Sequence, residues 1–388
     1  MSATHSFVVP IHNGSEFIHL FWESLMPNVL EKTELIIIDD GSSEDLHRLV
    51  PQLPSNLTLR IFRNETAQGY SRAVNRGLGE ASGEYIYLLN TDLILGAGAL
   101  ELIHFYLKQD SRIGVVGAKL IYPQSGKIQH FGLAFTRTRK FHIYTHMDPA
   151  HALVCELGEF QAVTFALCGF RRELLKEVGY LDPQYCNGSE DIDFSLRVKK
   201  SGYRLVVPPD VASYHWESLS GDSRHISTLE NEARFWGNWA KDIEPDIEYF
   251  IGKSLGLFLQ ENPQYRTIDF TIVNLSSGND FHHILQVLEL HFEHYRSFDF
   301  WDYSRPVRKN NQLWLAMTLP FDTFRNPKPF ILIAHEYPQL MQNHYWFTTR
   351  RQFCDDDLII DHYGNVMRAT EPAFQAMASR QKGGMDVS

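Results

Sequence analysis

The chain has 388 residues, 44% of them hydrophobic, 13% aromatic and 21% charged, with 36 Lys+Arg against 47 Asp+Glu for a formal charge of −11. This composition excludes a disordered, collagen-like or low-complexity chain, and the acidic balance excludes broad nucleic-acid binding, which needs a net basic footprint. At roughly 100–200 residues per domain, two or three domains are expected, or one large domain with an appendage. No apolar run approaches the ~20 residues that span a bilayer, and no basic region followed by an apolar one opens the chain. Cys155, Cys168, Cys186 and Cys354 form no CxxC pair. A soluble, cytoplasmic protein with reduced thiols is expected.

Short apolar runs at 7–11, 35–38, 57–62 and 85–89 alternate with helical spacing at Phe17, Leu20, Phe21, Leu25 and at Ala73, Val74, Leu78, Ala81. Buried aliphatic strands alternating with helices predict βαβ units and a mainly parallel sheet, an α/β fold. From 110 to 215 the pattern loosens. Strands are expected at 114–122 and 160–170, a polar, basic and aromatic loop at 137–146, and a helix at 171–178. Another is expected at 189–201, whose Ile192, Phe194, Leu196 and Val198 spread over more than one face. A helical stretch rich in Trp and Phe follows at 224–243. Residues 1–250 therefore read as one domain.

Residues 251–264 carry Gly, Pro and polar residues and read as a linker. Strand-like runs at 268–275, 314–319, 330–333 and 358–360, with a helix near 281–292, predict a small C-terminal α/β domain over 265–380. A disordered tail is expected at 381–388. Trp301, Tyr303, Trp314, Tyr345 and Trp346 suit an interface there, against an acceptor, the first domain or a second subunit in a homo-oligomer; filling a small core is the competing use. Asp355, Asp356 and Asp357 lack the companions of a second complete site.

Three acidic clusters stand at strand ends or a helix start: Asp39-Asp40-Gly41-Ser42, Asn90-Thr91-Asp92 and Glu190-Asp191-Ile192-Asp193. Each has an ordinary use as a turn, a cap or a complement to the helix dipole. Together they fall on the edge of an α/β sheet where ligands bind. There a carboxylate can hold Mg²⁺ or Mn²⁺ beside substrate phosphates, another can accept hydrogen bonds from a base or ribose, and a third can take a proton from an attacking hydroxyl. The chain has no GxxxxGK[ST] loop and no GxGxxG fingerprint, which disfavours P-loop and dinucleotide chemistry.

Val8–Asn13 (VVPIHN), Ile36–Asp45 (IIIDDGSSED), Gly69–Asp92 (GYSRAVNRGLGEASGEYIYLLNTD) and Gly169–Ser218, which contains CNGSEDIDFSLRV, resemble inverting glycosyltransferases of family 2 over about the first 240 residues. The resemblance implies a GT-A fold, Rossmann-like with a mainly parallel central sheet, and here an additional small C-terminal α/β domain. It implies a UDP- or dTDP-sugar donor, a divalent cation and a glycan or lipid-linked glycan acceptor, with work at the inner face of a membrane. By that resemblance Pro10 and Asn13 line the nucleotide pocket, Asp40 reads the base, and Gly69, Asn75 and Arg76 lie beside base and ribose. Asp92 contacts the metal, with Asn90 in place of the first acid of the usual Asp-x-Asp, a variant shared with rhamnosyltransferase-like members. Asp191 is the general base with Glu190 beside it, and His215 contacts metal or diphosphate. Asp193 is instead expected to pair with Arg197 at i,i+4. Tyr214 and Trp216 suit either sugar stacking or packing. His142 and His146 lack a third ligand in register and read as loop residues rather than a zinc site. A nucleotidyltransferase and a non-catalytic sugar-binding scaffold are the competing readings.

Overall fold

The computed structural model describes residues 3–13, 15–44, 50–51, 53–54, 57–216, 228–268, 270–274, 286–292, 295–299, 330–334, 357–361 and 363–368. It divides into two compact units, Met1–Ala134 with His142–Ile243, and Phe135–Phe141 with Glu244–Ser388.

In the first unit the order opens β1 (His5–Ile11), α1 (Ser15–Leu25), β2 (Thr33–Asp40), β3 (Thr58–Asn64), α2 (Tyr70–Glu80), β4 (Tyr85–Leu89), β5 (Leu93–Ile94) and α3 (Ala99–Gln109). Next come β6 (Ile113–Gly117), β7 (Lys119–Ile121) and β8 (Ile128–His130), then the short strands β9 (Leu133–Phe135) and β10 (Lys140–His142), of which Phe135 and Lys140–Phe141 belong to the second unit. The unit closes with β11 (Gly158–Phe160), β12 (Leu167–Arg171), α4 (Leu174–Val178), α5 (Glu190–Lys200), β13 (Arg204–Val207), β14 (Ala212–His215) and α6 (Thr228–Trp239).

An eight-stranded sheet in the order β11-β13-β6-β12-β4-β1-β2-β3 forms the frame. Strands β4, β1, β2 and β3 run parallel, while β12 enters antiparallel between β4 and β6. Phe7, Val9, Ile11, Leu35 and Ile37 face a core closed by Phe21, Trp22 and Leu25 of α1 and Leu100 and Ile103 of α3. Val8 and Ile38 point the other way, under α2, where a Cβ on Gly77 would stand 2.4 Å from Val8 Cγ1. Both faces are thus covered, which is why 35–38 reads as an unbroken aliphatic run.

Two expected long strands are each broken. The run at 114–122 bends at Ala118, so β6 stays in the main sheet while β7 joins a second sheet of order β5-β14-β7-β8. The run at 160–170 is strand only at its ends, β11 and β12. Between them residues 161–166 spend their backbone groups elsewhere: Leu133 N–H donates to Ala162 O (3.0 Å), Val163 N–H to Ser195 Oγ (3.3 Å) and Thr164 N–H to His130 Nε2 (3.3 Å). Apolar composition marked these residues as buried but could not show that their hydrogen bonds leave the ladder.

In the second unit α7 (Ile247–Glu261) is followed by β15 (Phe270–Asn274), β16 (Tyr295–Asp299), β17 (Phe330–Ala334), β18 (Leu358–Asp361) and β19 (Val366–Arg368). The sheet order is β16-β15-β17-β18-β19, parallel except for β19. Residues 251–264, read above as a linker, are instead the body of α7 and the start of a 3₁₀ turn. Ile251, Leu255, Phe258 and Leu259 are buried, and Ser254 Oγ donates to Gly364 O at 2.6 Å. Gly252 and Gly256 inside this helix supplied the misleading signal. The expected run at 314–319, the five aromatic residues from Trp301 to Trp346, Cys354, Asp355, Asp356 and the tail lie outside the described residues. No helix among the described residues is long and apolar enough to cross a membrane.

Candidate active site

The Asp-Asp-Gly-Ser cluster at the carboxyl end of β2 builds a pocket wall. Asp39 is buried; its Oδ1 accepts from Ser42 N–H (2.8 Å) and its Oδ2 from Arg63 Nη1 (2.6 Å). Gly41 sits at φ +70°, and a Cβ there would meet Ala67 N at 2.6 Å, so only glycine fits. Asp40, expected to face a base, gives its oxygens to Asn64 Nδ2 (2.6 Å) and to the N–H groups of Gln68 (2.8 Å) and Gly69 (2.8 Å). It therefore shapes the loop that leads into α2. Asn13, at φ 57°, accepts at Oδ1 from Ser43 N–H (2.9 Å) and donates its own N–H to Ser42 Oγ (2.9 Å), joining the end of β1, which carries Pro10, to the β2 turn. Asn75 is turned away from this wall: it holds Leu181 through both backbone groups, at 2.8 and 3.0 Å. Arg76 donates to Arg63 O at 2.8 Å and lies over the Phe62 ring.

The Asn-Thr-Asp turn follows β4 and feeds β5, which pairs with β14 so that His215 lies opposite Leu93. That register brings His215 Nε2 to 3.2 Å from Asp92 Oδ1, with the two side chains 13% and 22% exposed. Asn90 Oδ1 is buried with no hydrogen-bond partner among the described residues. His215 Nδ1 meets Gln129 Oε1 at 2.8 Å, and Gln129 Nε2 donates to His215 O at 3.2 Å. A family-implied Mg²⁺ or Mn²⁺ can be tested against these groups. Two donors on neighbouring corners of an octahedron with bonds of ~2.1 Å stand about 3 Å apart, close to the Asp92–His215 spacing. Among the described residues no three His, Cys, Asp or Glu side chains converge to make an all-protein cage. Two side-chain ligands and an amide oxygen suit a cation that completes its shell with phosphate and water oxygens. The residues fit.

Opposite stands α5. It is entered through the turn Cys186-Asn187-Gly188-Ser189, in which two non-glycine residues, Asn187 (φ 54°) and Ser189 (φ 72°), hold the left-handed region. Such residues cost of order 1–3 kcal/mol each and persist only where the surroundings over-determine them. Here Asn231 of α6 does so: its amide accepts from Cys186 N–H (3.2 Å) and donates to Cys186 O (2.8 Å). Glu190 is buried and accepts from Gly188 N–H at 2.6 Å. Half-buried Asp191 accepts from its own neighbour Ile192 N–H (2.8 Å) and, at Oδ2, from Phe165 N–H (3.4 Å). Asp193 pairs with Arg197 at 2.9 Å, as its spacing predicts, and also takes the indole N–H of Trp239.

Tyr70 joins the two sides. Its hydroxyl donates to Phe165 O at 3.1 Å. Burial, then the charges of Cys168, Glu190, Asp191 and Asp92 around it, push the phenol well up, so it stays a proton donor. Burial and Asp191 push the Cys168 thiol up in the same way. His130 is buried and held neutral by burial and by His142 and His215. Its Nε2 accepts from Gly132 and Thr164 N–H, so its Nδ1–H goes to His142 Nδ1 at 2.8 Å. His142 and His146 are not on a helix; His146 stacks on Tyr122.

Asp92, Glu190, Asp191 and His215 are thus gathered on one unit, with Pro10, Asn13, Asp40 and Gly69 on its β1–β2 wall. Sequence reasoning missed Tyr70, Gln129, His130 and Asn231. Tyr70 was in view as the neighbour of Gly69; the other three lie outside any motif, and only the folded chain brings them to the site.

The sheet, its crossovers and this placement of acids define a GT-A fold. The solved structure of GalNAc-T7 with UDP, GalNAc and Mn²⁺ shares it, with a TM-score of 0.50 at 18% identity over 68% of this chain and 54% of that one. Residues 6–179 match Glycosyl transferase family 2, and the chain carries that glycosyltransferase domain. A poly-β-1,6-N-acetyl-D-glucosamine synthase of Staphylococcus aureus is 28% identical over 212 residues, 53% of this chain and 48% of its own. An uncharacterized protein of Sinorhizobium fredii is 30% identical over 239 residues, 59% of this chain and 26% of its own. The chain spans about half the length of the first of these relatives and about a quarter of the second.

Proposed function

We propose that this chain is an inverting glycosyltransferase that moves a hexose or deoxyhexose from a UDP- or dTDP-sugar to a hydroxyl of a surface polysaccharide or other glycan, lipid-linked acceptors included. The observation that carries this reading is the placement on one unit of Asp92, beside His215 at 3.2 Å, and of Asp191, which accepts from the N–H of the same Phe165 whose carbonyl takes the Tyr70 hydroxyl. The Asn90-Thr91-Asp92 variant is what favours a deoxyhexose donor of the rhamnosyltransferase-like kind.

In this scheme the acceptor oxygen bonds to the anomeric carbon as the bond to the β-phosphate oxygen breaks, and the electron pair leaves with the nucleoside diphosphate. Asp191 Oδ2 takes the hydroxyl proton, a contribution of typically ~10²–10⁴-fold. Phe165 N–H orients that carboxylate. Asp92 and His215, with Asn90 Oδ1, would hold the divalent cation, which offsets charge building up on the leaving diphosphate. Asp40 acts on the nucleotide through the Gln68–Gly69 loop, and Asn13 and Pro10 complete the wall.

The test is a thermal-shift panel of UDP-, dTDP- and GDP-sugars with Mn²⁺ or with EDTA, since a ligand that binds the folded state raises its melting temperature. Nucleotide release is assayed in parallel. A UDP- or dTDP-sugar should stabilise the chain and be consumed only with the cation, and Asp92→Ala should abolish turnover and weaken binding. Stabilisation by no nucleotide sugar would sink the reading; EDTA-resistant turnover in Asp92→Ala would remove the cation from it.

A further inference from the structure

The Asp92–His215 pair raises a question about protons that the backbone answers. Gln129 is buried in β8 and touches His215 twice, at the ring through Nδ1 and at the main chain through the carbonyl oxygen. A carbonyl oxygen can only accept, so the Gln129 group facing it must be the NH₂. That fixes the amide the other way round at the ring: Oε1 faces His215 Nδ1. An amide oxygen also only accepts, so the proton of a neutral His215 must sit on Nδ1. Its Nε2 is then left with a lone pair 3.2 Å from Asp92 Oδ1, a buried oxygen with no hydrogen-bond partner among the described residues. Two such atoms repel unless a cation is shared between them.

We propose that Gln129 is a positioning residue that sets His215 as a ligand for the divalent cation of the donor site, by fixing both the tautomer and the ring orientation. The proposal rests on the assignment of Asp92 and His215 to that cation. Outer partners of this kind typically change metal affinity by 10–100-fold when removed, because the free imidazole otherwise divides between tautomers and rotamers.

Apart from the His215 carbonyl, the backbone around the pair is held by bonds that do not involve the Gln129 side chain. His215 is registered against Leu93 in the β5–β14 ladder, and Trp216 N–H donates to Asp92 O at 2.9 Å. What Gln129 adds is confined to the His215 side chain and its carbonyl. Gln129 is held in turn through its own carbonyl, which accepts from Thr145 Oγ1 at 3.2 Å. Its replacement by leucine should therefore leave the two cation ligands on the same strands at the same register and change only how one of them is presented.

The experiment is Mn²⁺ binding by the full chain, read from the electron paramagnetic resonance of the free ion, with and without UDP. Thermal melting of each variant checks its fold. Gln129→Leu should weaken Mn²⁺ binding by 10-fold or more, and Gln129→Glu should recover much of the loss, because its carboxylate still accepts from Nδ1–H. In a His215→Ala background Gln129→Leu should have no further effect. If His215→Ala weakens Mn²⁺ binding while Gln129→Leu binds as the wild type does, the role of Gln129 is overturned and the cation assignment stands. An equal further loss from Gln129→Leu in the His215→Ala background overturns it too. A wild-type chain that binds no Mn²⁺, or binds it no better than His215→Ala, overturns the cation assignment itself and this inference with it.

Discussion

The side-chain carbonyl of Asn187 accepts a hydrogen bond from the backbone N–H of Tyr70, 117 residues earlier in the chain, at 3.0 Å. It fastens the first turn of α2, next to the Gly69 loop, to the turn that leads into α5. Tyr70 continues the link through its hydroxyl to Phe165 O, and Phe165 N–H meets Asp191. The nucleotide-side loop and the proposed base are thus held by one short series of bonds.

Asn187 carries two burdens that substitutions can separate. Glycine keeps the left-handed backbone at φ 54° without strain but loses the acceptor, whereas alanine loses both. Asn187→Ala should therefore be less stable than Asn187→Gly by roughly 1 kcal/mol, while both lose turnover to a similar degree. Urea unfolding beside a transfer assay would check this. Equal stability of the two variants would show that the backbone strain is not there.

Asn231 makes no approach to the acids, yet it holds both backbone polar groups of Cys186. Asn231→Ala removes two hydrogen bonds to the backbone of the exposed Cys186, each worth about 0.5–1.5 kcal/mol. The turn it clamps has two strained residues ready to relax. We expect the maximal rate of transfer to fall at least several-fold and nucleotide affinity to change much less, because the Asp40 carboxylate is held by Asn64, Gln68 and Gly69 rather than by α6. A variant with normal turnover and only a lower melting temperature would make Asn231 a plain stabiliser.

The parallel half of the first unit was legible because its physics is local: 35–38 and 85–89 are apolar runs bounded by turns, and both are strands. The acids were legible because they sit in motifs at strand ends. What escaped is non-local. Nothing in the sequence around Asn231 or Gln129 says that its amide will pair with a backbone 45 or 86 residues away. Residues 161–166 look like the rest of a strand because they are apolar. Only the folded chain shows their N–H groups turned to Ser195, His130 and Asp191. Residues 251–264 read as a linker from their Gly, Pro and polar residues, although the buried residues of α7 at 247, 250, 251, 254, 255, 258 and 259 keep helical spacing.

At the opposite end of β1, His5 is buried among Tyr85, Tyr87 and His104, with Nδ1 at 3.2 Å from Tyr87 OH. Burial, and then His104, push its pKa down from 6.5 to about 4. The unfolded chain therefore binds a proton between those values that the folded chain refuses. Stability is complete above pH 6.5, falls as pH drops towards 4 and levels below it, by as much as ~3 kcal/mol for a shift of this size. His104, lowered by burial and Lys108, works in the same direction. In His5→Gln the difference in unfolding free energy between pH 7 and pH 4.5 should shrink by a large part of that amount, whatever the variant's absolute stability. An unchanged difference would place the acid sensitivity elsewhere.

The decisive substitution for the proposed chemistry is Asp191→Asn. It keeps the size of the side chain and an oxygen for Ile192 N–H, the shorter of the two bonds that hold the carboxylate. It removes the proton acceptor. Transfer should fall by roughly two orders of magnitude or more if Asp191 assists the attacking hydroxyl. Donor affinity should hardly change, because the nucleotide wall is built by Asp40, Asn13 and the Gln68–Gly69 loop, none of which bonds to Asp191. Asp92→Ala should behave differently and weaken nucleotide binding as well as rate. Should Asp191→Asn turn over near the wild-type rate, Asp191 serves only to cap α5. Glu190 would then be the next acid to test, although its Oε2 is already taken by Gly188 N–H and its side chain is buried.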